Sequence, residues 1–235
     1  LTFDTSQVTN MYGMFSDATT FNQPLTFDTS QVTNMSYMFA GAIAFNQPLT
    51  FDTAQVTTMK GMFYEATAFN QPLAFDTSQV TNMREMFKYA TAFNQPLTFN
   101  TAQVTDMSGM FFGATTFNQP LTFNTSQVTD MRDMFLGATA FNQPLTFDTS
   151  NVLYNENMFQ GATSFNQAKE EQKQVKHMDR LSTETYAARA YARDAARDAA
   201  RATAQKAHDA VQKVRKSASI HTYIKDSTFP QKCNI

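Results

Sequence analysis

Several kinds of residue are scarce in this chain, and each scarcity narrows what it can be. There is one cysteine, Cys233, among 235 residues, which excludes an intrachain disulfide framework and leaves the redox compartment open. Tryptophan is absent, and only 7 glycines and 7 prolines punctuate the chain. The 3 histidines all lie beyond residue 168, so the first two thirds lack the commonest general base and the commonest metal ligand. No Ser-His-Asp or Cys-His constellation, H-E-x-x-H helix or glycine-rich phosphate loop can be assembled, and no catalytic residue, cofactor site or metal site is expected. No apolar run approaches the 18 or more residues of a membrane span, and no charged-then-apolar signal peptide opens the chain. The chain begins at Leu1 without an initiator methionine, as expected of a processed or truncated product.

What is present is repetition. Leu1, Leu25, Leu49, Leu73, Leu97, Leu121 and Leu145 each open a 24-residue unit reading approximately L-T-F-D-T-S-Q-V-T-N-M-x-x-M-F-x-x-A-T-x-F-N-Q-P, and the seven units fill residues 1–168 without an insertion or deletion. A strict period in this range means an array in which each unit buries its apolar face only against its neighbours. Leu25-Thr26-Phe27-Asp28 alternates apolar and polar, which predicts a short parallel strand. Asp28-Thr29-Ser30 then turns the chain, and Val32, Met35, Met38, Phe39 and Ala42 recur at spacings of three and four, which predicts a short α- or 3₁₀-helix. Asn46-Gln47-Pro48 turns back to the next strand. The expected fold is therefore an α/β repeat solenoid of seven strand-plus-helix coils, with the thinner strand face concave and a C-terminal α-helical arm attached.

The joint pattern V-T-x-M, M-F and F-N-Q-P-L, with F-D-T-S before it, resembles the bacterial surface-protein repeat of about 26 residues related to the BspA-like leucine-rich repeats. The resemblance covers Leu1 to Ala168 and implies a leucine-rich-repeat-like solenoid of the kind found in secreted or cell-surface proteins that bind proteins or matrix. It implies no catalytic residue. Two departures stand out: the unit is 24 residues long, and Phe occupies the family's Trp position before D-T-S. The seventh unit decays, with Leu153-Tyr154-Asn155 in place of Thr-Asn-Met and Ala168 in place of Pro, which reads as the end of the array.

Three regular columns invite chemical readings. Met-x-x-Met recurs six times, from Met11/Met14 to Met131/Met134; thioether pairs can hold Cu(I), but methionine beside a phenylalanine column is the composition of a flexible core. The column Asp4, Asp28, Asp52, Asp76, Asn100, Asn124, Asp148 could bind a cation, yet interchange of Asp and Asn is what capping of nearby N–H groups requires. The threonine column beside it, Thr5 to Thr149, could present hydroxyls to a ligand or hydrogen-bond along the stack.

Variation between units marks what faces outward. The twelfth position reads Tyr12, Ser36, Lys60, Arg84, Ser108, Arg132, Glu156, and the sixteenth Ser16, Ala40, Tyr64, Lys88, Phe112, Leu136, Gln160. Tyr64, Tyr89, Phe112 and Leu136 on that side form a candidate partner-contact patch, against the alternative of neutral drift at solvated positions.

Residues 169–235 are a different material. Residues 1–168 hold 4 Lys and Arg against 12 Asp and Glu, a formal charge of −8, whereas the tail holds 14 against 8, or +6. No Gly or Pro interrupts it before Pro230, and Ala, Lys, Arg, Gln and Glu predict helix over about 168–181 and again from Ser182-Thr183 to about Ser217. Ala188, Ala192, Ala195, Ala199 and Ala202 form a small-residue seam beside the row Arg189, Arg193, Arg197, Arg201. Such a seam suits close approach to a protein partner, with Arg189, Arg193, Ala195, Arg197, Ala199 and Arg201 as contacts; a solvated helix or a phosphate-binding row are the alternatives. The expected function is a non-catalytic scaffold that binds protein, held in a larger assembly by its tail, either at the cell surface or as a subunit of a complex inside an organelle. The alternative is a surface adhesion module that binds glycan or matrix through the Thr/Asp face.

Overall fold

The computed structural model describes residues 3–165; the predicted helical arm, with Arg189, Arg193, Ala195, Arg197, Ala199 and Arg201, lies outside the described residues. Six isolated parallel bridges join successive units at one repeat position: Asn10 to Asn34, Asn34 to Thr58, Thr58 to Asn82, Asn82 to Asp106, Asp106 to Asp130 and Asp130 to Tyr154. The seven units are thus coils stacked in a constant register of 24 residues.

Beyond each bridge the backbone runs a one-way ladder. The N–H groups of Met35, Tyr37, Phe39 and Gly41 donate to the carbonyls of Thr58, Lys60, Met62 and Tyr64 of the next coil, at 3.1, 2.8, 2.9 and 2.7 Å. The intervening N–H groups close turns inside their own coil, Met38 to Met35, Ala40 to Tyr37, Ala42 to Phe39 and Phe45 to Ala42. Each of these is an i to i+3 bond, so the segment is a chain of overlapping β-turns.

That arrangement corrects the expected fold. Among the described residues there is no helix and no strand beyond the single-residue bridges, so a solenoid of strand-plus-helix coils is not what these residues form. The helical spacing of Val32, Met35, Met38, Phe39 and Ala42 is real, but an α-helix needs every N–H to return to the carbonyl four residues back, and here alternate N–H groups leave for the neighbouring coil. Positions 13 and 17 of every unit also have φ between 55° and 74°, from Gly13 and Asp17 through Tyr37 and Gly41 to Asn157 and Gly161. A left-handed residue in third place is what a type II turn demands and what a right-handed helix forbids.

The Leu-x-Phe segment fails as a strand for a different reason. Phe rings related by one coil lie 5.5–5.7 Å apart at the fifteenth position, 5.7–6.1 Å at the twenty-first and 6.2–6.4 Å at the third, where Phe3–Phe27 and Phe123–Phe147 are in contact. Among the described residues no backbone hydrogen bond joins one Leu-x-Phe segment to the next, so no strand ladder forms there.

The interior is built from the repeated apolar columns. Val32, Met35, Met38, Phe39, Ala42 and Phe45 and their equivalents in coils three to six are fully buried, with Leu25 and Phe27 nearly so. Within a coil the two phenylalanines stack closely, Phe63 on Phe69 at 4.1 Å and 12°. The methionine pairs from Met35/Met38 to Met131/Met134 lie inside this core, as does Met11, while Met14 is exposed; there flexible thioethers fill the gaps between rigid rings.

Side chains complete the stack on the far side of each coil. Asn46 Oδ1 accepts the Asn70 backbone N–H at 2.9 Å and Gln71 Nε2 at 3.1 Å, a pair of bonds repeated at Asn22, Asn70, Asn94 and Asn118. Thr29 is buried and its Oγ1 donates to the Asp52 carbonyl of the next coil at 2.9 Å; Thr53, Thr77, Thr101 and Thr125 do the same. The Asp/Asn column caps turns throughout: Asp28 Oδ1 accepts the N–H and hydroxyl of Ser30, and Asp4, Asp52, Asp76, Asn100, Asn124 and Asp148 take the N–H two residues on.

Candidate functional site

The turn segment carries nearly all the individuality of the molecule. All 7 glycines, all 4 basic residues of the first 168 and the 5 tyrosines among them fall between positions 10 and 17 of their units. Because coils are joined here by backbone atoms, their side chains are released to vary. They are not uniformly outward, however: Ser36, Ala40 and Ser108 in the same columns are buried.

Glycine and aromatic residues are placed by one steric rule. A side chain on a left-handed residue lies along the stack over the same position of the next coil. A Cβ on Gly61 would come within 2.3 Å of Tyr37 Cε1, and one on Gly113 within 2.4 Å of Tyr89 Cδ1. Each glycine is thus doubly required, by its φ of +57° or +66° and by the ring resting on it.

Three of the four expected patch residues come together. Tyr89 meets Tyr64 edge-on at 6.3 Å and Phe112 edge-on at 5.0 Å. Lys88 Nζ sits among them, 4.8 Å from the Phe112 centroid, 5.6 Å from Tyr64 and 5.8 Å from Tyr89, close enough for attraction to all three π faces. The same ammonium donates to Glu85 Oε1 at 3.0 Å, and Arg84 Nε lies 3.6 Å from Glu85 Oε2. Burial pushes the Glu85 carboxyl up, but the Lys88 hydrogen bond and the charges of Lys88, Arg84 and Lys60 outweigh it and hold it below the usual range. Burial, reinforced by Glu65, pushes the Tyr64 phenol up to about 12, so it stays a neutral donor. Leu136 is half-buried in the next coil, where its carbonyl accepts the Gly113 N–H at 2.7 Å.

A second cluster, absent from the expected patch, lies two coils away. Tyr12 and Tyr37 meet edge-on at 5.7 Å and 69°, and Lys60 Nζ stands 5.5 Å above the Tyr37 ring. Together with Gly13 and Ser16 they line an open cavity of about 600 Å³. Tyr37 escaped sequence reasoning because position 13 varies between Gly, Tyr, Glu, Asp and Asn; the readable signal was the alternation Gly13, Tyr37, Gly61, Glu85, Gly109, large residue then glycine. At the other end of the strip Arg132 is paired with Asp130 through Nε at 3.0 Å and through its terminal nitrogen, and stacks at 4.9 Å on Tyr154. The Asp130 hydrogen bond holds the guanidinium charged.

The strip presents π faces, two ammonium groups, ion-paired guanidinium groups and phenol hydroxyls. The Thr/Asp face offers less, since Thr29, Thr53, Thr77, Thr101 and Thr125 are buried with hydroxyls engaged along the stack and one oxygen of each capping Asp is already occupied. No curated protein and no solved structure matches the chain. A family model does, over residues 1–98 and again over 96–197, in agreement with the internal repetition. The chain belongs to the repeat family described as Mycoplasma protein of unknown function, DUF285.

Proposed function

We propose that this chain is a non-catalytic protein-binding repeat protein that engages its partner through the variable strip of positions 10 to 17. The observation that carries the reading is segregation: the tyrosines and bases of the repeats gather on one side, while the other sides hold Asn, Gln, Thr and Asp committed to the stack. Exposed tyrosine and arginine are the side chains that dominate protein interfaces. The basic tail, by its composition, adds a second attachment point and makes the chain a scaffold subunit; kinship with the BspA-like repeats of about 26 residues agrees with a binding role.

The rival reading, glycan or matrix adhesion through the Thr/Asp face, has the buried threonine column against it. A photo-crosslinking amino acid placed at Phe112 in the full chain is expected to capture a discrete protein partner in the source cells, whereas one placed at Gln127 is not. Capture from Gln127 alone would transfer the function to the opposite side. Binding to purified glycan that is unaffected by Tyr89→Gly and Phe112→Ala would favour the adhesion module.

A further inference from the structure

The two aromatic clusters of the strip each set a lysine beside edge-on tyrosine rings and differ in the fate of the ammonium. In the cluster of Tyr64, Tyr89 and Phe112, Lys88 is neutralised by Glu85 at 3.0 Å. In the cluster of Tyr12 and Tyr37, Lys60 has no carboxylate within 4.0 Å; Lys88, Arg84 and Arg132 each have one, so among the described residues Lys60 is the unpaired base of the repeats. Its nearest polarising neighbour is the Tyr37 ring, and the space beside it is the open cavity of about 600 Å³ between Tyr12, Tyr37 and Ser16.

We propose that this cavity is an anion pocket that receives a carboxylate side chain of an acidic protein segment, the carboxylate pairing with Lys60 and the apolar neighbours of the segment packing on Tyr12 and Tyr37. The inference rests on the strip being the partner-binding face and adds the partner's chemistry. Lys88 and Glu85 show within the same molecule how a carboxylate sits against a lysine flanked by aromatic rings; in the cluster of Tyr12 and Tyr37 the lysine stands over a tyrosine ring with no carboxylate within 4.0 Å, Glu85 acting on it only through its charge at longer range. Ser16, exposed at the rim, directs its hydroxyl at Asp17 Oδ2 at 3.5 Å, which leaves Lys60 as the group that would hold the incoming carboxylate. A partner bearing Lys or Arg in that place would meet Lys60 with like charge, so the pocket selects the sign of its ligand.

Tyr37→Gly is the cleanest way to open the pocket without losing the fold, because position 13 is already glycine in coils one, three and five and glycine relieves the positive φ. The probe is a fluorescein-labelled 12-residue peptide of alternating Glu and Leu, measured by anisotropy on the full chain at about 0.1 M salt, beside its Gln/Leu counterpart. The Glu/Leu peptide is expected to bind, and Lys60→Gln and Tyr37→Gly are each expected to weaken it roughly fivefold to tenfold. Lys60→Gln combined with Gln103→Lys, which restores net charge two coils away, is expected to bind as poorly as Lys60→Gln alone. Recovery in that double variant would show that only net charge is read and would overturn the pocket. Equal binding of the Gln/Leu peptide, or no binding of either, would overturn it too. If crosslinking from position 112 still captures a partner, the strip survives as the interface and only the acidic pocket falls; if that crosslinking fails as well, both readings fall.

Discussion

Two sides of each coil are joined to their neighbours by different atoms. On the Asn-Gln side the bonds between coils run through side chains, Asn46 Oδ1 to the Asn70 N–H and Gln71 Nε2 back to Asn46. On the turn side they run mainly through backbone, with the Ser36–Thr58 and Asn157–Asp133 side-chain bonds added at single coils. Where a side chain is the bond, its identity is held from unit to unit; where the backbone is the bond, the side chain is free to become Tyr, Lys, Arg, Phe or Leu. The seventh coil makes the point: its sequence has decayed to Leu153-Tyr154-Asn155, yet Met131, Asp133, Phe135 and Gly137 still donate to it at 2.7 to 2.9 Å. A stack of this kind can change its surface without changing its architecture.

The contrast is sharpest in the core, and the largest effect is expected there. Phe87 is fully buried between Phe63 and Phe111 at 5.6 and 5.7 Å, and Phe87→Ala should cost about 3–5 kcal/mol. Phe112→Ala, on the half-buried strip, should cost about 1 kcal/mol. Urea unfolding of the two variants tests the division directly, and equal losses would erase it.

Next comes the steric rule on the strip. Gly113→Val places a β-branched side chain at φ +66° against the Tyr89 ring and should destabilise by about 2–4 kcal/mol. Tyr89→Gly in the same chain should restore a large part of that, a coupling a double-mutant cycle reads out. Gly137→Ala, where the nearest atom to the new Cβ is 3.9 Å away, bears only the left-handed penalty of about 1–2 kcal/mol. If Gly113→Val and Gly137→Ala cost the same, with no rescue by Tyr89→Gly, the ring is not what demands glycine.

A smaller difference separates the two kinds of bond. Asn94→Ala removes the acceptor for the Asn118 N–H and for Gln119 Nε2 and should cost about 1–2 kcal/mol. Ser108→Ala, beside an intact backbone ladder, loses only a hydroxyl bond to Asp106 and should cost less, about 0.5–1 kcal/mol. The reverse order would mean that side chains, and not the backbone, hold the strip together.

The smallest effect is on pH dependence. Side-chain and backbone hydrogen bonds from Ser30 hold the Asp28 carboxyl below its ordinary value, and the backbone and side-chain bonds of Ser78 do so at Asp76. A carboxyl depressed in the folded state stabilises above its unfolded pKa of about 3.9 and loses that contribution as pH falls through the folded value. Asn100 and Asn124 keep the same cap without a titrating group. Asp28→Asn/Asp76→Asn should therefore leave stability near pH 7 almost unchanged and flatten its decline as pH falls below about 4. An unaltered acid slope would separate the capping bonds from acid stability.

Much of this organisation was legible before any coordinates. The period of 24, the inward columns of Val, Met, Phe and Ala and the capping role of the Asp/Asn column follow from spacing and residue chemistry, because burial and capping depend on which residue types recur and not on where the N–H groups point. Three of the four aromatic and aliphatic patch residues were readable as outliers in variable columns. Tyr12, Tyr37 and Lys60 were not grouped, since they come from three coils and meet only through the stack.

The register, the core and the gathering of Tyr and basic residues within positions 10 to 17 can be read from the chain alone, since they are properties of a repeat and of its residue pattern. Packing between coils is what assigns the three-and-four spacing to turns and not to a helix. The same spacing serves both, and the choice is made by the destination of alternate N–H groups, which the next coil captures at 2.7–3.1 Å before the coil's own carbonyls four residues back can. The 7 glycines, all at the two left-handed positions, are the sequence trace of that decision, intelligible once the neighbouring coil is seen to lie against them.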